Sequence, residues 1–295
     1  MSDMEKVYWR FARRRLKLYF ERLEGPAIAS DPILAKYRFT NAYRASDRVS
    51  QKLIRIQYND KAFEDSPREI FYRTMLFKLF NKLETWQLIC ENGYPHSRNI
   101  GQVRRLLTDK KGLYSAAYIQ ASPAGKGVQK AVAHIDLIEE MLEGKLHKKI
   151  KRARSLEAVF ELLKGVRSFG DFLAFQYAID LNYSSLLDFD EDDFVVPGPG
   201  ALDGISKILP GMSPLKAIHR MTERAPDSMK GLTLFGRQLH LIDCQNLFCE
   251  ISKYTRVSHP HIIGVSGRST IKQEYRRVTE AMPKPFFPPR WGCRR

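Results

Sequence analysis

Apolar residues recur along this chain at steps of three and four rather than in alternation. Leu76, Leu79, Phe80, Leu83 and Trp86 keep that spacing, as do Ile135, Ile138 and Leu142 ahead of Gly144. One buried face per helix gives this pattern, so both segments are predicted as amphipathic helices, the second with Gly144 as its C-terminal stop. At the start of the chain Tyr8, Phe11, Leu16, Tyr19 and Phe20 are interleaved with Arg10, Arg13, Arg14, Arg15, Lys17 and Arg22. That reads as a basic, partly aromatic helix ending at Gly25-Pro26, with its arginines either solvated over docked aromatics or turned to a polyanion.

Turn residues divide the rest. Asp31-Pro32 and Ser66-Pro67 open helices, because proline at the first helical position sacrifices no useful donor. A helical stretch from Asn41 to Tyr58 is expected, and Asn92-Gly93-Tyr94-Pro95 closes the helix begun at Pro67. Residues 112–127, with ASPAGKG, read as a loop. Phe194–Val196 and Leu239–Ile242 are the best strand candidates, and both are short. The fold class expected is all-α, with at most a few short strands: one large helical domain over 1–282, divisible into two lobes near 145–155, and a Pro-rich tail over 283–295. Four prolines in that thirteen-residue tail prevent a regular element, so it should wrap the body through Phe286, Phe287 and Trp291.

Composition narrows the function. With 295 residues, 43% hydrophobic and 28% charged, the chain can bury a large core, which excludes disorder and a collagen-like rod. The formal charge of +16 exceeds what solubility requires and suggests a polyanionic partner. Nucleic acid fits best, since each cation that neutralises a phosphate releases a counterion; a basic surface without a specific partner is the alternative. The four cysteines form no CxxC pair and the seven histidines are scattered, so no zinc site or disulfide frame is expected and the thiols read as reduced. No signal peptide or membrane span is visible, and a soluble cytoplasmic protein with no membrane partner is the expectation. GxxxxGK[ST], HExxH, GxSxG and GxGxxG are all missing, which disfavours a P-loop kinase, metalloprotease, α/β-hydrolase or Rossmann dehydrogenase.

Four stretches carry candidate chemistry. Lys145 to Arg154 holds six Lys/Arg in ten residues, either a solvated link or a phosphate contact. Ser155 to Asp171 reads as helix, tight turn and helix, with Gly165 ending the first and Asp171 capping the second. Such a hairpin either packs as an ordinary αα pair or holds a phosphate on its free N–H groups. In the second helix Gln176 and Asp180 form an i, i+4 polar pair that lines a pocket or a surface stripe. Five acids in six residues, Asp188 to Asp193, interrupt the basic chain and lead into the Pro197-Gly198-Pro199-Gly200 turn. They are either a solvated loop or carboxylates held for catalysis. Finally Asp243, Asn246, Glu250, Lys253 and Tyr254 lie at helical steps opposite Leu247, Phe248 and Ile251. Beyond them Arg268, Lys272 and Arg276 recur every four residues, as a basic helical stripe would.

Asp31-Pro32-Ile33-Leu34, Tyr37-Arg38-Phe39-Thr40-Asn41, Tyr43-Arg44 and Asp47-Arg48-Val49 together with Asp192-Asp193-Phe194-Val195-Val196-Pro197-Gly198-Pro199-Gly200-Ala201 and Asn246-Leu247-Phe248-Cys249-Glu250, Lys253-Tyr254 and Arg256 carry a resemblance. Over roughly residues 5 to 280 the chain resembles the phage DNA thymine hypermodification family. That family comprises the 5-hydroxymethyldeoxyuridine DNA kinase helical domain and the α-glutamyl/putrescinyl thymine pyrophosphorylases, and is distantly similar to helix-hairpin-helix DNA glycosylases.

The resemblance implies an enzyme of the transferase class, phage-encoded or phage-derived and working in a bacterial cell. Its double-stranded DNA substrate carries 5-hydroxymethyluracil activated as a pyrophosphate ester by a separate P-loop DNA base kinase. An amine, either an amino acid or putrescine, displaces pyrophosphate at the 5-methylene. Such chemistry needs access to the base, a base for the ammonium and cations for the leaving group. In the glycosylase register the aspartate after the hairpin falls at Asp190 to Asp193, so Asp193 or Asp192 is the expected base, with two further catalytic-site residues: Asp180, with Gln176, orienting the nucleophile or the uracil edge, and Glu250 positioning Lys253 or binding the amine. Gln176, Asn41, Arg44, Arg48, Lys253, Tyr254 and Arg256 are expected at the substrate, and Tyr43, Tyr177 or Tyr183 at the vacated stack. Lys148, Lys149, Lys151, Arg152, Arg167, Arg268, Lys272 and Arg276 are expected on DNA. No protein metal site is expected, and Mg²⁺ is compatible with a pyrophosphate group. Phe172 stands where bifunctional glycosylases keep a lysine, and Arg167-Ser168-Phe169 replaces their Gly-rich turn. The alternatives are a non-catalytic DNA-binding module assisting the kinase and a glycosylase for a modified base. The carboxylates separate them: turned into a basic pocket they favour chemistry, and turned to solvent they favour the binding module.

Overall fold

A computed structural model describes residues 1–58, 65–93, 95–115, 121–125, 127–276 and 282–293. In chain order the α-helices are α1 Asp3–Glu24, α2 Pro32–Lys36, α3 Arg48–Tyr58, α4 Pro67–Phe80, α5 Leu83–Glu91, α6 Ile100–Leu107 and α7 Lys130–Glu143. They continue as α8 Leu146–Lys151, α9 Leu156–Lys164, α10 Asp171–Asn182, α11 Pro199–Ile208, α12 Pro214–Ser228 and α13 Leu241–Ser258. The described residues contain no strand, only two isolated bridges, and the fold is all-α. Among them no helix is long and apolar enough to cross a membrane. The chain divides into two compact units, Met1–Asp47 with Phe194–Arg295, and Arg48–Asp193. Residues 145–155 lie inside the second unit.

In the first unit α1 starts at a capping box in which Ser2 and Glu5 exchange hydrogen bonds of 2.7 and 3.2 Å, and it stops at Gly25. Its aromatics are docked: Tyr8, Trp9, Phe11 and Tyr19 are buried, and the Tyr8 ring lies 4.9 Å from Phe248. Helices α11 and α13 pack with their backbones nearly touching. A β-carbon on Gly204 would collide with the Phe248 carbonyl, and one on Gly200 with the Cys249 sulfur. The Pro-Gly-Pro-Gly run thus begins α11, with Gly198 as N-cap and Pro199 as first residue, and provides its close approach.

Both strand expectations are overturned. Phe194–Val196 has no regular structure, and Leu241 and Ile242 open α13, because His240 and Asp243 form a capping box there and both aliphatics are buried along the helix. The basic helical stripe is also corrected. Arg268, Lys272 and Arg276 are exposed on irregular chain, since the intervening residues supply too few apolar positions for a buried helical face. That segment is pinned instead along residues 36–38, with Arg38 N–H donating to Gln273 at 3.0 Å and Tyr275 N–H to Lys36 at 2.9 Å. The tail is held as expected by Phe287 and Trp291, with the Arg237 guanidinium 3.7 Å from the Trp291 ring, although Pro289–Trp291 makes one 3₁₀ turn.

In the second unit α4 is nearly all buried. The single helix expected from Pro67 to Asn92 is two: Asn81 adopts a left-handed conformation at φ 50° and its side chain accepts from Lys78, which ends α4 before α5 begins. The helix expected from Asn41 begins only at Arg48, after a 3₁₀ turn over Arg44–Ser46. In the α9–α10 hairpin Gly170, not Asp171, is the N-cap. Asp171 is the first helical residue and pairs with Lys164 at 3.0 Å. Part of the 112–127 loop, residues 116–120 and Lys126, lies outside the described residues, as does Tyr94.

Candidate functional site

The first unit brings together the sequence motifs of residues 37–47 and α13. Arg15, buried on α1, donates through Nε to the Thr40 carbonyl at 2.9 Å and through Nη2 to Asn41 Oδ1 at 2.9 Å. Thr40 N–H donates to Glu250 Oε2 at 2.9 Å, and Asn246 Nδ2 donates to Thr40 Oγ1 at 3.1 Å and to the Asn41 carbonyl at 3.3 Å. Asn41 N–H donates to Asp47 Oδ1 at 2.7 Å, and Arg44 N–H to Asp243 Oδ1 at 2.8 Å. The polar face of α13 is therefore covered by a loop whose unpaired backbone groups it satisfies.

The electrostatics of this cluster single out one group. Burial lifts the Asp47 carboxyl to about 7; the Asn41 N–H opposes that, the Glu250 charge adds to it, and Arg15 and Arg44 oppose it. Asp243 is raised too, chiefly by burial. Glu250 is buried and holds Lys253 Nζ at 2.6 Å, while Lys253 also lies 5.2 Å from the Phe39 ring. Tyr254 donates its hydroxyl to Asp31 Oδ2 at 2.8 Å, beside Arg14 on the same oxygen at 2.5 Å.

A second cluster lies between α11, α13 and the chain after it. Asp203 accepts the Ser266 N–H at 2.8 Å and the Ser252 hydroxyl, with Lys207 Nζ at 3.4 Å and Arg256 Nη2 at 3.9 Å. Burial opposes ionisation here, but those donors and the Lys207 charge hold the carboxyl down at about 2. Arg256 Nη1 donates to the Thr270 carbonyl at 3.0 Å. Asp47 and Asp203 were not singled out as site residues from sequence. For Asp203 the available signal was two i, i+4 pairs, Asp203 with Lys207 and Ser252 with Arg256, on neighbouring helices.

The remaining candidates are dispersed. Arg44 and Tyr43 are buried in the first unit; Tyr177 and Tyr183 are buried in the second, where Arg48 is exposed. Gln176 is buried on α10, and Asp180 is fully buried against Lys78 Nζ at 3.1 Å, so the polar pair expected to line a pocket is interior. Asp192 and Asp193 are exposed to solvent. In α8 Leu146, His147 and Ile150 are buried while Lys148, Lys149, Lys151 and Arg152 are exposed. Arg167 pairs with Glu140 at 2.5 Å and donates to the Pro123 carbonyl at 2.9 Å.

The 5-hmdU DNA kinase of Bacillus phage SP10 is 25% identical to this chain over 255 residues, covering 76% of the chain and 40% of the phage protein. The chain thus matches less than half the length of that relative. No solved structure shows significant similarity to it. The family model described as "5-hmdU DNA kinase, helical domain" matches residues 2–264. That span begins one residue before α1 and ends beyond α13, so every helix described above lies within it, and the chain belongs to the 5-hmdU DNA kinase helical-domain family.

Proposed function

We propose that this chain is the DNA-recognition module of a thymine hypermodification system, binding double-stranded DNA that carries 5-hydroxymethyluracil and delivering it to a base-modifying kinase. The observation that carries this reading is the contrast between its cations and its carboxylates. Lys148, Lys149, Arg152, Arg268, Lys272 and Arg276 are exposed, whereas Asp180 and Glu250 are ion-paired in the interior and Asp192 and Asp193 face solvent. Exposed cations suit phosphate contacts, while solvent-facing carboxylates would repel a phosphate backbone. The name of the phage relative supports the base, 5-hydroxymethyluracil in DNA, and the missing Walker A sequence supports leaving phosphoryl transfer to a separate kinase. Fluorescence anisotropy with duplexes containing thymine or 5-hydroxymethyluracil tests it. Tighter binding to the modified duplex is the expected result, and equal binding would remove the recognition role.

A second reading, displacement of pyrophosphate from the activated 5-methylene by an amine, is favoured by Asp47. A carboxyl held at about 7 is matched to deprotonating an ammonium near neutral pH. Nucleoside mass spectrometry on DNA containing 5-pyrophosphoryloxymethyluracil, incubated with amino acids and polyamines, distinguishes the readings. An amine adduct lost in Asp47→Asn supports transfer, and unchanged DNA supports the recognition module.

A further inference from the structure

Among the large hydrophobic residues of the described chain, Ile263 and Val265 are the most exposed, at 73% and 74%. Single exposed aliphatics are ordinary, but these two share a short loop whose backbone is fixed from below. Ser266 N–H donates to Asp203 Oδ1 at 2.8 Å and Val265 N–H to Ser206 Oγ at 3.2 Å, while Gly267 N–H closes a turn on the Gly264 carbonyl at 3.0 Å. Gly264 is buried against α11, where a β-carbon would collide with Asp203 and stand 2.7 Å from Lys207 Cε. Its absence lets the loop seat on that ion pair, and seating turns the aliphatics outward. Asp203 is itself fixed by Ser252 and Lys207.

The exposed charge along the loop's own stretch of chain is of one sign. From Ile251 to Gln273 there is no acidic residue; Lys253 and Arg256 are paired with Glu250 and Asp203, which leaves Arg268 and Lys272 as the exposed cations of the stretch, with His259 and His261 6.1 Å apart ahead of the aliphatics. Rigid apolar side chains followed along the chain by exposed cations suit duplex DNA. The phosphates meet the cations, and a preorganised aliphatic can enter between base pairs, as apolar wedges do when they unstack and kink a duplex. A lipid surface or a second copy of the chain would also cover aliphatics, but the exposed Arg268 and Lys272 that follow on the same acid-free stretch favour a polyanion with stacked apolar planes behind its charges.

We propose that the loop from His259 to Gly267 is a DNA wedge, with Ile263 and Val265 inserting into the base stack and so helping to expose the base to be modified. This deepens the DNA-recognition reading and rests on it. Extruding a base costs a few kcal/mol of unstacking, and an inserted side chain recovers part of that by filling the gap.

The test is 2-aminopurine fluorescence in a duplex with the probe beside 5-hydroxymethyluracil, with binding followed in parallel by anisotropy. Wild-type protein is expected to raise the emission several-fold on binding. The Ile263→Ala, Val265→Ala double variant should bind within about tenfold of wild type and lose the rise, and Ile263→Phe should keep it. Because both side chains are exposed, the double variant should melt at the wild-type temperature, which separates a lost wedge from a lost fold. An emission rise that survives in the double variant, or DNA bound by wild type with no rise, overturns the wedge while leaving DNA recognition intact. Absence of DNA binding at low salt overturns both. Self-association or binding to anionic vesicles that disappears in the double variant, with the DNA signal unchanged, assigns the aliphatics to another partner and also overturns it.

Discussion

Glu250 Oε2 accepts the Thr40 N–H at 2.9 Å and holds Lys253 Nζ at 2.6 Å. One buried carboxylate oxygen thus anchors the 37–47 loop to α13 and neutralises the nearest cation. Removing it leaves a backbone donor and an ammonium unpaired together, whereas an amide preserves an acceptor for Thr40. Glu250→Ala should therefore lower unfolding free energy by about 2 kcal/mol or more, and Glu250→Gln by about half as much. Urea titration of both variants measures this, and equal losses would mean that the Thr40 bond contributes nothing.

The closeness of α11 and α13 gives a sharper prediction. Gly204→Ala forces a β-carbon into the Phe248 carbonyl, backbone against backbone, and should cost at least about 3 kcal/mol or prevent folding. Gly101→Ala places its β-carbon within α6 with nothing inside 4 Å, and should stabilise by about 0.5–1 kcal/mol through helix propensity. Thermal melts of the pair should move in opposite directions.

The all-α class was legible because three- and four-residue spacing is a local property of the sequence. So were the proline starts of α2 and α4 and the glycine stop of α1, whereas the Pro197-Gly198-Pro199-Gly200 run, read as a turn, opens α11. Local pattern misjudged Asn81, where a left-handed residue divides an otherwise continuous apolar stripe, and Arg268 to Arg276, where charge spacing without an apolar face was read as helix. Within the site, α13 showed its polar face in sequence. What could not be read was that residues 37–47 cover that face, because the pairing of Thr40 with Glu250 spans 210 positions. The same holds for Asp203, whose neighbours Ser252 and Ser266 lie far along the chain and whose depressed pKa exists only once they assemble.

Asp47 and Asp203 make opposite contributions to the pH dependence of stability. The folded-state value of Asp47, about 7, lies above the ordinary carboxylate near 3.9, so folding binds a proton and this group's penalty grows from about pH 4 to about pH 7. Asp203, at about 2, stabilises above pH 4, and its contribution is lost as pH falls from about 4 through 2. Asp47→Asn, which keeps an acceptor for Asn41 N–H, should raise the melting temperature more at pH 8 than at pH 5. Asp203→Asn should lower it at pH 7 and lose its effect near pH 2. Melting curves across that range decide, and a pH-independent effect of Asp47→Asn would mean that its carboxyl titrates normally.

The exposed lysines of α8 provide the most direct check on the basic surface. Leu146, His147 and Ile150 fix the helix by burial, so Lys148, Lys149 and Arg152 can be changed without disturbing its seat. Each phosphate contact contributes about 0.9 to the slope of log affinity against log salt on duplex DNA. If all three side chains neutralise phosphates, the triple alanine variant should reduce the magnitude of that slope by about 3 and weaken binding most at low salt. The same substitution at Arg268, Lys272 and Arg276 gives the corresponding count for the chain after α13, where the cations lie on irregular backbone pinned by Lys36 and Arg38. A variant whose slope matches wild type has lost cations that meet only solvent, and the DNA surface must then be sought elsewhere on that unit. A slope reduced by both sets assigns phosphate contacts to both units of the chain.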